Sequence, residues 1–102
     1  MTDKILNLIG LAMKAGKAVS GEFSVEKCIK SGKAKLLIMA EDASDNSKKK
    51  FTDKCNYYNV PVIIYSTKED LGRALGKGLR SSIALTEDGL KNAILKIKTE
   101  VS

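Results

Sequence analysis

The chain has 102 residues, of which 43% are hydrophobic and 29% charged, with a single proline. These values favour one compact domain over residues 1–102 and exclude an intrinsically disordered chain. Lysine and arginine number 18 against 12 acidic residues, so the formal net charge is +6, which favours a polyanionic partner over a small acidic substrate.

Cysteine content and the N-terminal stretch bear on the compartment. Cys28 and Cys55 are the only cysteines and histidine is absent, so we expect reduced core thiols, no disulfide and no metal site. The apolar stretch from Ile5 to Met13 is too short to span a bilayer and does not resemble a signal peptide. We therefore expect a cytoplasmic protein with no membrane partner.

Helical and extended patterns alternate in the first half of the chain. The stripe from Ile5 to Met13 predicts a helix that ends at Gly16, and a short extended segment, 17–20, follows. A second helix is predicted from Gly21 to about Ser31. The continuous apolar run Leu36–Ala40 is typical of a strand covered on both faces.

The middle of the chain predicts a helix and a strand. Phe51, Cys55 and Tyr58 recur at i, i+4 and i+7, which indicates one apolar helical face. Pro61 follows this helix, and the segment 62–65 reads as a second buried strand.

The last third of the chain predicts two more helices and a strand. Ser66 and Glu69 have the spacing of a capping box, and a basic, flexible loop from Gly76 to Ser82 follows the helix that they open. Segment 83–85 is predicted as a strand, and Thr86 as the cap of a final helix. The apolar register of that helix is Leu90, Ile94, Ile97 and Val101.

The order of elements is α, short β, α, β, α, β, α, β, α. Helices must cover both faces of a small sheet for every apolar stripe to be buried. The sequence therefore predicts an α/β fold, a three-layer α/β/α sandwich with a small mixed four-stranded sheet.

The helix that begins at Gly21 has two chemically different faces. At 100° per residue, one side carries Val25, Cys28 and Ile29, and the opposite side carries Phe23, Lys27 and Lys30. An aromatic ring beside cations can stack on a base and bind phosphate, which points to RNA. Alternatively, Phe23 precedes the first turn and folds back onto the core as a hydrophobic staple.

Three other motifs are open to a chemical interpretation. Glu41-Asp42 could hold Mg²⁺ at the end of a strand, although we favour a solvated turn that caps the next helix. The run Lys48–Lys50 is either a solvated helix face or a source of phosphate contacts. The segment Gly72–Gly78 lacks the glycine spacing and the hydroxyl residue of a nucleotide-binding loop, so we reject a nucleotidase.

Several segments together resemble the ribosomal protein seven-Ae/thirty-e family, which binds kink-turn RNA. They are Gly21, Lys27, the segments 32–36 and 40–42, Leu71-Gly72-Arg73-Ala74-Leu75-Gly76 and Ser81-Ser82-Ile83-Ala84. The bacterial YlxQ-type branch of that family is similar at further positions: 41–44, Asn46, 49–50, 52–55, 57–58 and 60–61.

The resemblance implies an α/β/α sandwich, no catalytic activity, and an RNA site at the start of the second helix and the loops beside it. Position by position, it implies RNA contacts at Gly21, Phe23, Ser24, Lys27, Lys68, Arg80, Ser81 and Ser82. Where archaeal and eukaryotic members place an Asn-Glu pair that reads sheared G·A pairs, this chain has Phe23-Ser24, and Ser31 replaces a family arginine. Phenylalanine can only stack on a base.

We therefore expect a monomeric, non-enzymatic protein that binds structured RNA, ribosomal or of kink-turn type, with no cofactor and no small-molecule substrate. Lys27 would contact phosphate or a guanine edge, Phe23 would stack on an unpaired base, and the loop 80–82 would close over a looped-out nucleotide. Lys17 and Lys33 would add long-range attraction. The alternatives are a protein-interaction module with incidental charge and, less favoured, a metal- or nucleotide-dependent enzyme that uses Glu41-Asp42.

Overall fold

Helices and strands alternate along the chain as the apolar pattern predicts. The structure, a computed structural model, describes residues 3–101, except for the side chain of Val101. The helices are α1 (Lys4–Lys14), α2 (Glu22–Lys30), α3 (Asp45–Tyr58), α4 (Lys68–Ala74) and α5 (Asp88–Val101). The strands are β1 (Ala18–Ser20), β2 (Leu36–Met39), β3 (Val62–Ile64) and β4 (Ser82–Leu85). Over the described range, no helix has the length and apolar content needed to cross a membrane.

The four strands form one mixed sheet in the order β1-β4-β2-β3. Strand β4 is antiparallel to both β1 and β2, whereas β3 is parallel to β2. Helix α1 packs against α4 and α5, and α2 packs against α3, so the two groups of helices form separate layers. Every residue of β2 and β4 is buried. The predicted three-layer sandwich is confirmed.

Two predicted helix caps are wrong by one residue. Thr67, not Ser66, caps α4, and its hydroxyl accepts from the Asp70 N–H. Ser66 has a φ of 64°, whereas an N-cap residue needs the extended backbone that Thr67 adopts. At the start of α5, the carboxylate of Glu87 accepts from the backbone amides of the next turn, so Thr86 is not the cap.

Strand β3 and Tyr58 were predicted to be buried and are partly exposed. Strand β3 lies at the edge of the sheet and has a neighbouring strand, β2, on one side only. Ile64 at its end is 39% exposed. Tyr58 is the last residue of α3 and is 38% exposed, while Phe51 and Cys55 are buried as predicted. In α5, Ile94 is buried as predicted, and the side chain of Val101 lies outside the described part.

Both cysteines are free and buried, as predicted. Burial raises the pKa of each thiol, that of Cys55 to about 11. The two thiols are therefore neutral core groups at physiological pH.

Candidate nucleic-acid interface

Backbone hydrogen bonds gather several segments at one edge of the sheet. Just beyond β2, the Ala40 N–H donates to the Ser81 carbonyl at 2.9 Å, and the Arg80 N–H donates to the Lys68 carbonyl at 3.1 Å. In the register of the sheet, the end of β1 lies beside the start of β4, so the β1–α2 connection reaches the same edge. We call this the proximal edge; it comprises residues 20–24, 40–42, 66–68 and 79–81.

Arg80 ties two parts of the proximal edge together. Its Nε donates to Ser20 Oγ at 3.2 Å, and its Nη1 donates to the Leu79 carbonyl at 2.8 Å. The side chain is half-buried. Arg80 therefore positions the loop before β4 against the end of β1, directly before Gly21.

Asp42 has a structural partner at the proximal edge. Its Oδ1 accepts from the Lys68 N–H at 2.8 Å, at the first residue of α4, whereas Ser44 caps α3. Asp42 therefore adds a second acceptor at the start of α4, which Thr67 caps. It does not cap α3, the next helix along the chain, so that expectation is wrong. Within residues 3–101, no three acidic or cysteine side chains are grouped in a way that could hold a metal ion.

The start of α2 presents the predicted ring and cation to solvent. Gly21 has a φ of 92°, which side-chain-bearing residues rarely adopt, although a Cβ at this position would meet no neighbouring atom. The backbone conformation, and not the available space, therefore favours glycine here. Phe23 is 74% exposed and Lys27 is exposed, while Val25 is fully buried. The two-faced helix is confirmed, and the staple alternative for Phe23 is excluded.

The third residue predicted on this face, Lys30, is not a free cation. Its Nζ lies 3.2 Å from a carboxylate oxygen of Glu26, which also pairs with Lys50 at 3.2 Å and Lys54 at 3.4 Å. Hydrogen bonds from these lysines, that of Lys30 foremost, lower the pKa of the Glu26 carboxyl to about 2. Glu22 joins the same cluster through Lys50 at 3.1 Å. In this α2–α3 cluster, the lysines neutralise the carboxylates of Glu22 and Glu26 near the start of α2.

Lys27 remains outside that network. Among residues 3–101, no carboxylate lies within ion-pair distance of its ammonium group. The lysine run in α3 differs in this respect, because Lys48 donates to the Glu41 carbonyl and Lys49 pairs with Asp53. Of the lysines within α2 and in the run that opens α3, Lys27 is therefore the one best placed to meet an incoming anion.

The structure corrects one predicted site residue and adds another. Ser82 is the first residue of β4, paired with Met39, and is only 1% exposed, so its side chain cannot contact a ligand as predicted. Leu79 is 64% exposed at the proximal edge, and the sequence analysis missed it. The sequence did offer a signal for Leu79, because a single leucine in a loop of glycine, lysine and arginine has no apolar neighbour to pack with.

Lys17 and Lys33 do not lie at the proximal edge. Lys17 precedes β1, and its carbonyl accepts from the Thr86 N–H at 2.9 Å, beyond the opposite end of β4. Strand geometry puts its Cα roughly 13 Å from that of Gly21. Lys33 follows the C-terminal end of α2. The predicted residues that the structure does bring to the α2 start and the proximal edge are Gly21, Phe23, Ser24, Lys27, Lys68, Arg80 and Ser81.

Comparison with known proteins places this fold in a family. The model of the ribosomal protein L7Ae/L30e/S12e/Gadd45 family matches residues 3–95. The RNA-binding protein YlxQ of Bacillus subtilis (strain 168) is 47% identical over 90 residues, which are 88% of this chain and 90% of the relative. The large ribosomal subunit protein eL8 of Thermoplasma volcanium is 28% identical over 97 residues, 94% of this chain and 80% of that protein.

Solved structures agree with this placement. A Bacillus halodurans C protein of unknown function superposes with a TM-score of 0.89 at 36% identity, over 93% of this chain and 96% of that chain. The Giardia lamblia 15.5kD RNA binding protein superposes with a TM-score of 0.78 at 25% identity, over 99% and 90% of the two chains. The chain therefore belongs to the ribosomal protein L7Ae/L30e/S12e/Gadd45 family.

Proposed function

We propose that this chain is a non-catalytic, monomeric RNA-binding domain that recognises structured RNA of the kink-turn type, in the cytoplasm and in association with ribosomal RNA. The observation that carries the proposal is the exposed ring of Phe23 beside the unpaired Lys27, next to the proximal edge. The match to YlxQ, whose name describes it as RNA-binding, supports the same class of partner.

The chemistry of the start of α2 suits a bent RNA with an unstacked base. Phe23 has an accessible ring face, and stacking on aromatic side chains is a common way for proteins to bind unpaired bases. Lys27 lies four residues later, one helical turn along the same side. Its ammonium group would contact a phosphate or a guanine edge of the same RNA segment.

The loop before β4 would cover the flipped base from the other side. Leu79 offers an exposed apolar side chain, and Arg80 anchors the loop through Ser20. An anchored loop loses little conformational entropy when it closes on a ligand. Phe23-Ser24 cannot make the base-edge hydrogen bonds of an Asn-Glu pair, so stacking and loop closure would supply the recognition of the bend.

A competition between bent and straight RNA tests this proposal. A kink-containing duplex and a straight duplex of equal length and charge are titrated with wild-type protein and with Lys27→Ala over a range of salt concentrations. The wild type should prefer the kinked RNA, and the variant should bind it more weakly, with a log–log salt slope shallower by about 0.7 to 0.9. Lys96→Ala is the matched control, because Lys96 is an exposed lysine on α5.

The alternatives give different results. Equal binding of the two RNAs would reduce the interaction to electrostatic attraction and contradict recognition of structure. If no RNA is bound, Phe23 and Leu79 become candidates for a protein-docking patch, the alternative function that their exposure allows.

A further inference from the structure

A second group of lysines lies at the opposite end of the sheet. Ala18 of β1 and Leu36 of β2 are both paired with Leu85 of β4. One residue beyond this rung, the Thr86 N–H donates to the Lys17 carbonyl, and the Lys35 N–H donates to the Leu85 carbonyl. Extending the register puts Lys17 and Lys35 on either side of residue 86, roughly 10 Å apart between Cα atoms.

Lys33 joins them from the turn after α2. We call Lys17, Lys33 and Lys35 the distal edge. Lys17 and Lys33 are exposed and Lys35 is half-buried. For the part of the chain that the structure describes, none of the three has an acidic partner within ion-pair distance.

The acidic residues that follow β4 have other partners. The Glu87 carboxylate accepts from the Gly89 and Leu90 amides, and Asp88 pairs with Lys91 at 3.4 Å. This contrasts with α2 and α3, where Glu22 and Glu26 neutralise the nearby lysines. Among the described residues, lysines without an acidic partner thus lie at both ends of the sheet.

We propose that the distal edge is a second RNA-binding surface that contacts the phosphate backbone of a different RNA segment from the one at the proximal edge. This inference rests on the proposed function, because it assigns the protein a bridging role between two RNA segments. Three ammonium groups that have no acidic partner within residues 3–101 suit backbone phosphates, and contacts to phosphates carry no sequence information. The two edges lie at opposite ends of the strands, so a helix segment bound at one edge leaves the other open to a second segment.

Energy transfer between two labelled RNAs tests the bridge. A kink-containing duplex carries the donor and a straight duplex of about 16 base pairs, a length that shape-reading proteins can span, carries the acceptor. Wild-type protein should bring the two together, and Lys17→Gln/Lys33→Gln/Lys35→Gln should lose the transfer while it keeps its affinity for the kinked RNA. The salt slope for the straight duplex should fall by about 2 to 3 in this variant.

Two further variants and one lipid probe complete the design. Lys4→Gln/Lys96→Gln/Lys49→Gln removes the same charge from exposed positions elsewhere and should keep the transfer. Lys17→Gln/Lys33→Gln alters exposed residues alone, so it separates lost binding from lost folding if the triple variant is unstable. Phosphatidylserine vesicles test whether the lysines bind an anionic membrane.

Each outcome decides the inference. Loss of transfer in the distal variants, but not in the control, supports a second RNA surface. Unchanged transfer and salt slope with intact binding of the kinked RNA overturn the inference and leave the proposed function standing. Binding to vesicles that the distal substitutions abolish, without any change in RNA binding, reassigns the distal edge to membranes. Failure of the wild type to bind either RNA refutes both proposals.

Discussion

Replacement of Gly72 by alanine should destabilise the protein and displace the loop that carries Leu79 and Arg80. Gly72 lies in α4, and a Cβ there would be 1.9 Å from the Gly78 carbonyl oxygen and 2.7 Å from the carbonyl carbon. Both contacts are with backbone, so no side-chain rotation can relieve them. The oxygen contact is about 1.5 Å inside ordinary van der Waals distance, and the loop must move.

The magnitude follows from three terms. Overpacking of this kind costs about 1–3 kcal/mol. The Lys77 N–H donates to the Gly72 carbonyl at 2.8 Å, and its distortion adds about 1 kcal/mol. Alanine is a better helix former than glycine by about 1 kcal/mol, which offsets part of the loss. The expected net loss is about 1–3 kcal/mol, or roughly 5–20 °C in Tm for a domain of this size.

Thermal unfolding followed by circular dichroism measures this change, and RNA titration at 25 °C measures the displacement of the loop. Gly78→Ala is the matched control, because its Cβ would enter open space without a left-handed backbone. The control should change the free energy of unfolding by no more than about 0.5 kcal/mol. A Gly72→Ala protein as stable as the control would refute the steric reasoning and the close approach of this loop to α4.

Three further substitutions test separate parts of the site. Phe23→Ala should weaken RNA binding by about 1–3 kcal/mol, the contribution of one stacked base, with little change in Tm. The control is Tyr57→Ala, which removes a ring on α3 that is 79% exposed. Equal weakening of RNA binding by the two substitutions would argue against a specific stack on Phe23. Glu26→Gln frees Lys30 and Lys54, leaves Lys50 paired with Glu22 alone, and should steepen the salt dependence of binding to straight RNA. The folded-state pKa of Glu26 is lowered to about 2, so the contribution of this carboxylate to stability is complete above the ordinary pKa of 4.5 and is lost as the pH falls towards 2. Acid unfolding of Glu26→Gln should lack this contribution, whereas acid unfolding of the control Glu100→Gln should keep it. Identical acid titrations of the two variants would contradict the cluster. Asp42→Ala removes the acceptor of the Lys68 N–H in the first turn of α4 and should cost about 1 kcal/mol in chemical denaturation, equally with and without Mg²⁺. A loss of stability seen in Mg²⁺ alone would restore the metal interpretation.

Periodicity predicted the elements and one face of the site because it depends on local geometry alone. The spacing of Val25, Cys28 and Ile29 requires that Lys27 point away from the core wherever α2 begins within a residue or two. The direction of Phe23 depends on that start, and the structure, in which α2 begins at Glu22, excludes the staple. The errors in helix caps are of another kind. Ser66 and Thr67 are both good capping residues, and only the backbone angle at the turn decides between them.

Pairing between distant segments decided what local patterns left open. Lys17 and Lys33 are close to Gly21 and Lys27 in sequence, but a strand and a helix separate them in space, so they lie at the distal edge. The burial of Ser82 depends on its register with Met39 in β2. Glu26 meets Lys50 and Lys54 because α2 packs on α3, and no local pattern reports that contact.

The sequence by itself determined the alternating elements, the apolar stripe of each helix, the basic character of the chain and the outward direction of Lys27. These properties follow from 3.6- and 2-residue periods and from composition. Tertiary structure decided which lysines are unpaired and at which end of the sheet each one lies. The physical reason is that ion pairing and strand register depend on segments far apart in the chain, whose meeting only the folded packing defines.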